Sequence, residues 1–173
     1  VSNLLDLSKF TANRMEMHFS SVNFNDIMKD VIDECYRLYL NQKSIHIKFE
    51  EVDNLTTMVD KERIAQVLRN LFVNAIRFSP DEGTLTVSMS YVNEGDLCFQ
   101  IVDTGVGIPE NEIEMIFESF TQSTRTKTRA GGTGLGLSIC KQIIEAHNGK
   151  IWAENNLSGE GSKFSFIIPL HQN

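Results

Sequence analysis

The sequence predicts an α+β domain in which helices cover one face of a mixed sheet. Three observations carry this. Segments 45–49, 56–59, 84–91, 97–102, 150–154 and 163–168 alternate or run apolar over the length of a strand. Segments 24–41, 60–78 and 134–147 place apolar residues at helical spacing. Asn93-Glu94-Gly95 joins two of the strands as a hairpin, so part of the sheet is antiparallel.

Taken in order, residues 1 to about 18 contain few turn formers. A seam at Leu5, Ser8, Ala12, Met15 and Phe19 alternates three- and four-residue steps. Such a helix is marginal in water and needs a partner helix. Because Val1 already lies inside it, the chain is read as a piece of something longer. Ser20 to Asn25 is a polar joint, with Asn23 or Asn25 as helix cap. Phe24, Ile27, Met28, Val31, Ile32, Cys35, Leu38 and Tyr39 define an amphipathic helix to about Asn41. Ile45 to Phe49 alternates as a half-buried strand, and Thr56 to Val59 makes another. In the helix from Asp60 to Phe78, Ile64, Val67, Leu68, Leu71, Phe72, Ala75 and Ile76 face the core. Gln66, Asn70 and Asn74 form an amide ladder along one side at i+4 steps. Pro80-Asp81-Glu82-Gly83 is a turn, and the hairpin follows. Glu110 to Phe117 reads as a short helix. Thr121 to Ala130 has no apolar anchors, cannot offset its ordering entropy, and is expected to be a mobile loop. The helix from Gly134 to His147 and two strands complete the sheet.

The formal charge of −7 argues against a general nucleic-acid grip, which needs clustered Lys and Arg. No apolar run approaches a membrane span, and the opening residues are not expected to act as a signal peptide. Cys35, Cys98 and Cys140 are odd in number, lack metal spacing, and read as buried thiols of a reducing compartment. His18, His46, His147 and His171 each stand alone, which disfavours a histidine metal site.

Three segments carry chemistry. In Gly131-Gly132-Thr133-Gly134-Leu135-Gly136-Leu137, four glycines in six residues open onto a helix-period segment. Backbone N–H groups can crowd around an anion at such a helix start, where the dipole also favours negative charge, and phosphate is the natural ligand. Asp103-Thr104-Gly105-Val106-Gly107-Ile108-Pro109 places a carboxylate at the exit of a strand, where a flat base can enter. Its oxygens accept hydrogen bonds and select an exocyclic amine such as adenine N6; the plain reading is a solvent-exposed turn. The amide oxygens of Asn70 and Asn74 are hard ligands suited to Mg²⁺, Arg77 can pair with phosphate, and Phe78 can cover a base. The plain reading there is the polar face of an amphipathic helix.

In this order and spacing, the segments resemble the ATP-binding catalytic domain of bacterial sensor histidine kinases, of the wider ATPase family that includes gyrase, Hsp90 and MutL. Asn70-Leu71-Phe72-Val73-Asn74-Ala75 resembles the asparagine box. Asp103 to Ile108 and Gly132 to Leu137 resemble the two glycine boxes. Ile116-Phe117-Glu118-Ser119-Phe120 resembles the phenylalanine box, and Gly161 to Pro169 the last strand. The resemblance covers roughly residues 20 to 170. It implies a two-layer α/β sandwich over residues 20–173, with an ATP lid at about 121–131. It also implies that residues 1–19 are the C-terminal part of the second helix of a dimerisation hairpin, where Leu4 to Lys9 reads like the family's helix end.

The resemblance implies ATP and Mg as cofactors. Asp103 would select adenine, with Gly105, Gly107 and Ile108 shaping the base pocket. Asn70 and Asn74 would hold Mg²⁺. Arg77 and the N–H groups of Gly132, Thr133, Gly134, Leu135, Gly136 and Leu137 would hold phosphates, with Phe78 and Phe120 beside the nucleotide. Asn70, Asn74 and Arg77 form the expected catalytic set. Arg125, Lys127 and Arg129 are the lid's basic residues, and Thr121-Gln122 after Phe120 looks more like lids of hybrid kinases. Which lid residue meets the γ-phosphate stays open.

Water-activating relatives carry Glu at the position of Asn70. A carboxylate can act as general base and an amide cannot, which favours transfer to a protein over hydrolysis, with Glu62 as a substitute base still open. No histidine here sits in the family's phosphoacceptor-like segment. The expected partners are therefore a dimerisation and phosphoacceptor domain outside this fragment and a downstream response-regulator receiver, in a homodimeric parent. Neither nucleic acid nor a membrane segment in this fragment is expected. The expected location is the cytoplasm, with anchoring of the parent at the inner membrane left open. Two other readings remain: a docking module with a degenerate nucleotide pocket, and an ATPase or Ser/Thr kinase of the same superfamily.

Overall fold

The computed structural model describes residues 16–39, 43–53, 55–118 and 136–171. Two of its helices begin where a side chain satisfies a free N–H group of the first turn. Asn23 caps α1 (Phe24–Leu38), its Oδ1 accepting from the N–H of Asn25 at 3.0 Å. Asp60 caps α2 (Lys61–Phe78), its Oδ1 accepting from the N–H of Arg63 at 3.1 Å. At the far end of α2, Ser79 Oγ donates to the carbonyl of Ala75 at 2.7 Å and Pro80 prevents continuation. α3 (Gly136–Ala146) ends where Asn148 turns the chain out at φ +58°, a conformation that asparagine tolerates.

Five strands form the main sheet in the order β2-β4-β5-β7-β6. They are β2 (His46–Phe49), β4 (Thr84–Val92), β5 (Asp96–Val102), β6 (Lys150–Asn155) and β7 (Ser162–Pro169). β2 pairs with β4 in parallel and the other pairs are antiparallel, so the sheet is mixed. Asn93 and Glu94, both at positive φ, make the tight turn from β4 to β5. Leu85, Val87, Met89, Leu97, Phe99, Ile101, Phe166 and Ile168 are buried on the inner face, where Phe99 stacks on Phe166 with ring centroids 4.8 Å apart. α2 lies between α1 and α3, and the three helices contribute Phe24, Met28, Val31, Leu68, Phe72, Ile139 and Ile143 to the same core. Thr86, Ser88 and Ser90 of β4 point to solvent. The predicted α+β arrangement, helices on one face of a mixed sheet, is the observed one.

Four local expectations are corrected. Ser20 to Asn23 is β1, not a joint, pairing antiparallel with β3 (Thr56–Val59) as Ser20↔Val59 through Asn23↔Thr56. Its single apolar residue hides it from pattern reading; the ladder exists because it satisfies backbone groups. β3 accordingly stands in a two-stranded ribbon outside the main sheet. Residues 16–19 are not helical: the His18 N–H donates to Asp60 Oδ2 at 2.9 Å, and Phe19 meets His147 edge-on at 5.3 Å. The segment 110–117 is two single 3₁₀ turns, Glu110–Glu112 and Met115–Phe117. Eight residues make a poor isolated helix, and single turns suffice to bury Ile116 and Phe117. Residues 1–15 and the lid lie outside the described residues. No described helix is long and apolar enough to cross a membrane.

Candidate nucleotide site

The site is assembled where the end of β5, the last turns of α2 and the first turn of α3 converge. Asp103 leaves β5 into the glycine turn and is buried, with 3% of its surface exposed. Its Oδ1 accepts from the N–H groups of Gly105 at 2.8 Å and Ser162 at 3.3 Å, and its Oδ2 accepts from Ser162 Oγ at 2.7 Å. A carboxylate offers about four acceptor directions. The three donors fix its rotamer and leave one direction on Oδ2, which is the capacity needed for an exocyclic amine.

Glycine is required twice around this carboxylate. A Cβ at Gly105 would drive into the carbonyl of Phe78, so its absence lets the turn close on the end of α2. A Cβ at Gly161, which sits at φ +79°, would strike the carbonyl of Asp103. Gly107 takes φ +68°, and Ile108 beyond it is buried.

On α2, Asn70 donates through Nδ2 to the carbonyl of Gly136 at 3.3 Å and to Cys140 Sγ at 3.7 Å. The Cys140 thiol donates onward to the carbonyl of Val67 at 3.8 Å. Burial pushes that thiol up to about 12, against a smaller opposing effect of the Asn70 hydrogen bond, so it keeps the proton it donates. With its nitrogen tied to α3, Asn70 leaves Oδ1 without a hydrogen-bond partner among the described residues. Asn74, half-buried one turn along, makes no side-chain hydrogen bond among the described residues. Two uncommitted amide oxygens one turn apart fit a hard cation such as Mg²⁺. Arg77 is exposed in the last turn, without a salt bridge among the described residues. Phe78 is half-buried, and Lys43 Nζ donates to the carbonyls of Ile76 at 3.0 Å and Arg77 at 3.1 Å, placing a cation on the negative end of the helix.

The structure places Asn70 against Gly136 and Phe78 against the turn of Asp103 and Gly105 that leads to Gly107 and Ile108, with Asn74 and Arg77 between them along α2 and Leu137 in the first turn of α3. Phe120, Gly132, Thr133, Gly134 and Leu135 lie outside the described residues. Pattern reading missed several supports. Ser162 was visible only as part of a closing strand, and Asn155 and Asn156 gave no signal. Asp60 and His147 form a buried joint at the opposite end of α2 from Arg77 and Phe78. The Asp60 N–H donates to His147 Nε2 at 3.0 Å, which puts the imidazole proton on Nδ1, bonded to the carbonyl of Ile143 at 2.8 Å. Burial lowers the His147 pKa, with Ile143 and Asp60 opposing. The joint ties the N-terminus of α2 to the C-terminus of α3, the two helices that carry Asn70 and Gly136.

Residues 59–172 match the family described as histidine kinase-, DNA gyrase B-, and HSP90-like ATPase. Sensor histidine kinase WalK of Bacillus subtilis (strain 168) is 33% identical over 99% of this chain and 28% of its own length. The chain spans less than half the length of the curated relatives it matches. The catalytic domain of histidine kinase ThkA superposes with a TM-score of 0.78 and 33% identity, over 90% of this chain and 99% of that one. ThkA in complex with response regulator protein TrrA matches at a TM-score of 0.77 and 30% identity, over 98% of this chain and 48% of that one. Full-length ShkA in complex with AMPPNP matches at a TM-score of 0.85 and 26% identity, over 99% of this chain and 35% of that one. The chain belongs to the histidine kinase-, DNA gyrase B-, and HSP90-like ATPase family, and within it is an ATP-binding catalytic domain of the sensor histidine kinase type.

Proposed function

We propose that this domain binds ATP with Mg²⁺ and directs the γ-phosphoryl group to a histidine on a dimerisation domain outside the fragment, from which a response-regulator receiver takes it. The observation that carries the reading is the buried Asp103 carboxylate, fixed by three donors with one acceptor direction left. When bound, Mg²⁺·ATP would supply the phosphoryl group and the cation that neutralises its charge. Asp103 orients the base through its amine. Ile108 and Gly105 shape the base wall, and the Asn70 and Asn74 oxygens hold the metal. The first turn of α3 and Arg77 take phosphate charge, so the domain's contribution is positioning and electrostatics.

Transfer rather than hydrolysis is supported by what stands at 70. The Asn70 amide is committed to α3 and cannot accept a proton from water. Glu62 is exposed in the first turn of α2, eight residues or about 12 Å of helix away from Asn70. ThkA, solved with its response regulator, supports the receiver as the downstream partner. AMPPNP, the ligand of ShkA, is an ATP analogue, in line with the nucleotide assigned here.

Calorimetric titration of ATP, with and without Mg²⁺, tests the reading on the wild type and Asp103→Asn. Because Oδ1 accepts two N–H groups, the variant's amide oxygen must take that place and its NH₂ the place of Oδ2. The fold survives, since Ser162 Oγ can turn to accept, but a donor now faces the adenine amine. ATP affinity should fall by about 1–3 kcal/mol, roughly ten- to a hundredfold. Unchanged ATP affinity in the folded variant would remove Asp103 from the site.

A further inference from the structure

Two consecutive asparagines at the end of β6 hold the two ends of the turn that starts at Asp103. Asn155 makes a reciprocal pair with Ile108: its Oδ1 accepts from the Ile108 N–H at 2.8 Å, and its Nδ2 donates to the Ile108 carbonyl at 2.6 Å. Asn156 Nδ2 donates to the Asp103 carbonyl at 2.7 Å and to the Glu160 carbonyl at 2.8 Å. The Asn156 N–H is itself bonded to the Gly161 carbonyl at 3.1 Å, and the Asp103 N–H to the Ser162 carbonyl at 2.9 Å. Between the two ends, Thr104 and Val106 are exposed, Gly107 takes a left-handed conformation and Gly105 closes on the carbonyl of Phe78, so the side-chain bonds from Asn155 and Asn156 hold the ends of the turn on either side of that one close approach.

We propose that Asn155 and Asn156 are positioning residues for base selection. By clamping Ile108 and Asp103 to one rigid hairpin, they fix the distance between the base wall and the carboxylate that reads the amine. Neither needs to touch the nucleotide. The inference rests on the reading that Asp103 accepts from the adenine amine. A carboxylate reads that amine only if the ring is seated at one depth; a turn free to widen leaves phosphate contacts intact and blurs the reading of the base.

The test compares ATP with purine riboside triphosphate, which lacks only the 6-amino group, by calorimetry in the presence of Mg²⁺. Wild type, Asn155→Ala and Asn156→Ala are titrated, with melting curves recorded beside them. In both variants the preference for ATP should shrink about tenfold, while affinity for purine riboside triphosphate stays within about twofold of wild type. A merely structural role weakens both ligands in parallel and leaves their ratio alone, and that result would overturn the proposal. Should Asn155→Ala not fold, Asn155→Asp carries the same test, since it keeps the acceptor for the Ile108 N–H while replacing the donor with an oxygen that repels the Ile108 carbonyl. A wild type that binds both triphosphates equally overturns the Asp103 reading and this inference with it. A wild type that discriminates, with variants that discriminate equally well, overturns the inference alone.

Discussion

Asp60 starts the helix that carries Asn70, Asn74 and Arg77, and substitution there separates two of its contacts. Its Oδ1 caps α2 through the Arg63 N–H, and its Oδ2 accepts from the His18 N–H. The third contact, from its own N–H to His147, is a backbone bond that alanine and serine keep. Asp60→Ala removes both side-chain contacts. The cap is worth about 1 kcal/mol and the second bond, to an exposed segment, about 0.5–1 kcal/mol. The loss should total roughly 1.5–2 kcal/mol, or about 3–8 °C in Tm for a domain of this size. Asp60→Ser restores a good cap but is too short to reach His18, so it should cost only about 0.5–1 kcal/mol. Urea unfolding of the three proteins at neutral pH measures both steps. Equal losses for Ala and Ser, or none for Ala, would refute the division of labour drawn from these distances.

Two further outcomes follow from the same geometry. Asn74→Ala should shrink the gain in ATP affinity that Mg²⁺ gives, because one of the two uncommitted amide oxygens is gone while Asn70 Oδ1 remains; calorimetry with and without the metal checks this, and an undiminished Mg²⁺ effect would contradict it. Burial holds the folded pKa of His147 below its ordinary 6.5, with the Ile143 carbonyl and Asp60 opposing, so unfolded chains take up a proton that folded ones refuse. Its contribution to stability is complete above pH 6.5 and is lost as pH falls below 6.5 toward and through the folded pKa. Urea unfolding between about pH 7.5 and 5 should show a flatter acid dependence in His147→Gln than in wild type, and parallel curves would contradict the assignment.

The sheet and helices were legible because their apolar periodicities are set by a core that reads the same locally and globally. Leu85, Val87 and Met89 alternate because alternate faces of β4 meet core and water, and Ile64 to Ile76 repeat because one side of α2 is buried. β1 was not legible: Ser20, Ser21 and Asn23 enter the ladder for their backbone groups, which have no side-chain signature. Asp103 and its glycines were visible because a buried carboxylate at a strand exit and close backbone approach restrict residue type. Their supports were not. Nothing local marks Ser162, 59 residues away, or Asn155, 47 residues from Ile108, because a hydrogen bond across the sheet needs only one polar side chain at the right register. The tie of Asn70 to Gly136 and Cys140 was hidden likewise, since an asparagine that holds a metal and one that braces a helix look identical in a string.

The central claim is that this domain delivers the γ-phosphoryl group of ATP to a histidine it does not itself carry. The most direct measurement mixes the chain with a separately produced dimerisation hairpin bearing the acceptor histidine, supplies γ-labelled ATP with Mg²⁺, and follows the label through an alkaline gel. Acid-labile, alkali-stable label is expected on the hairpin and none on this chain. Loss of that label is expected when the acceptor histidine is replaced. Free labelled phosphate with an unlabelled hairpin, or label retained on this chain, would contradict the central claim.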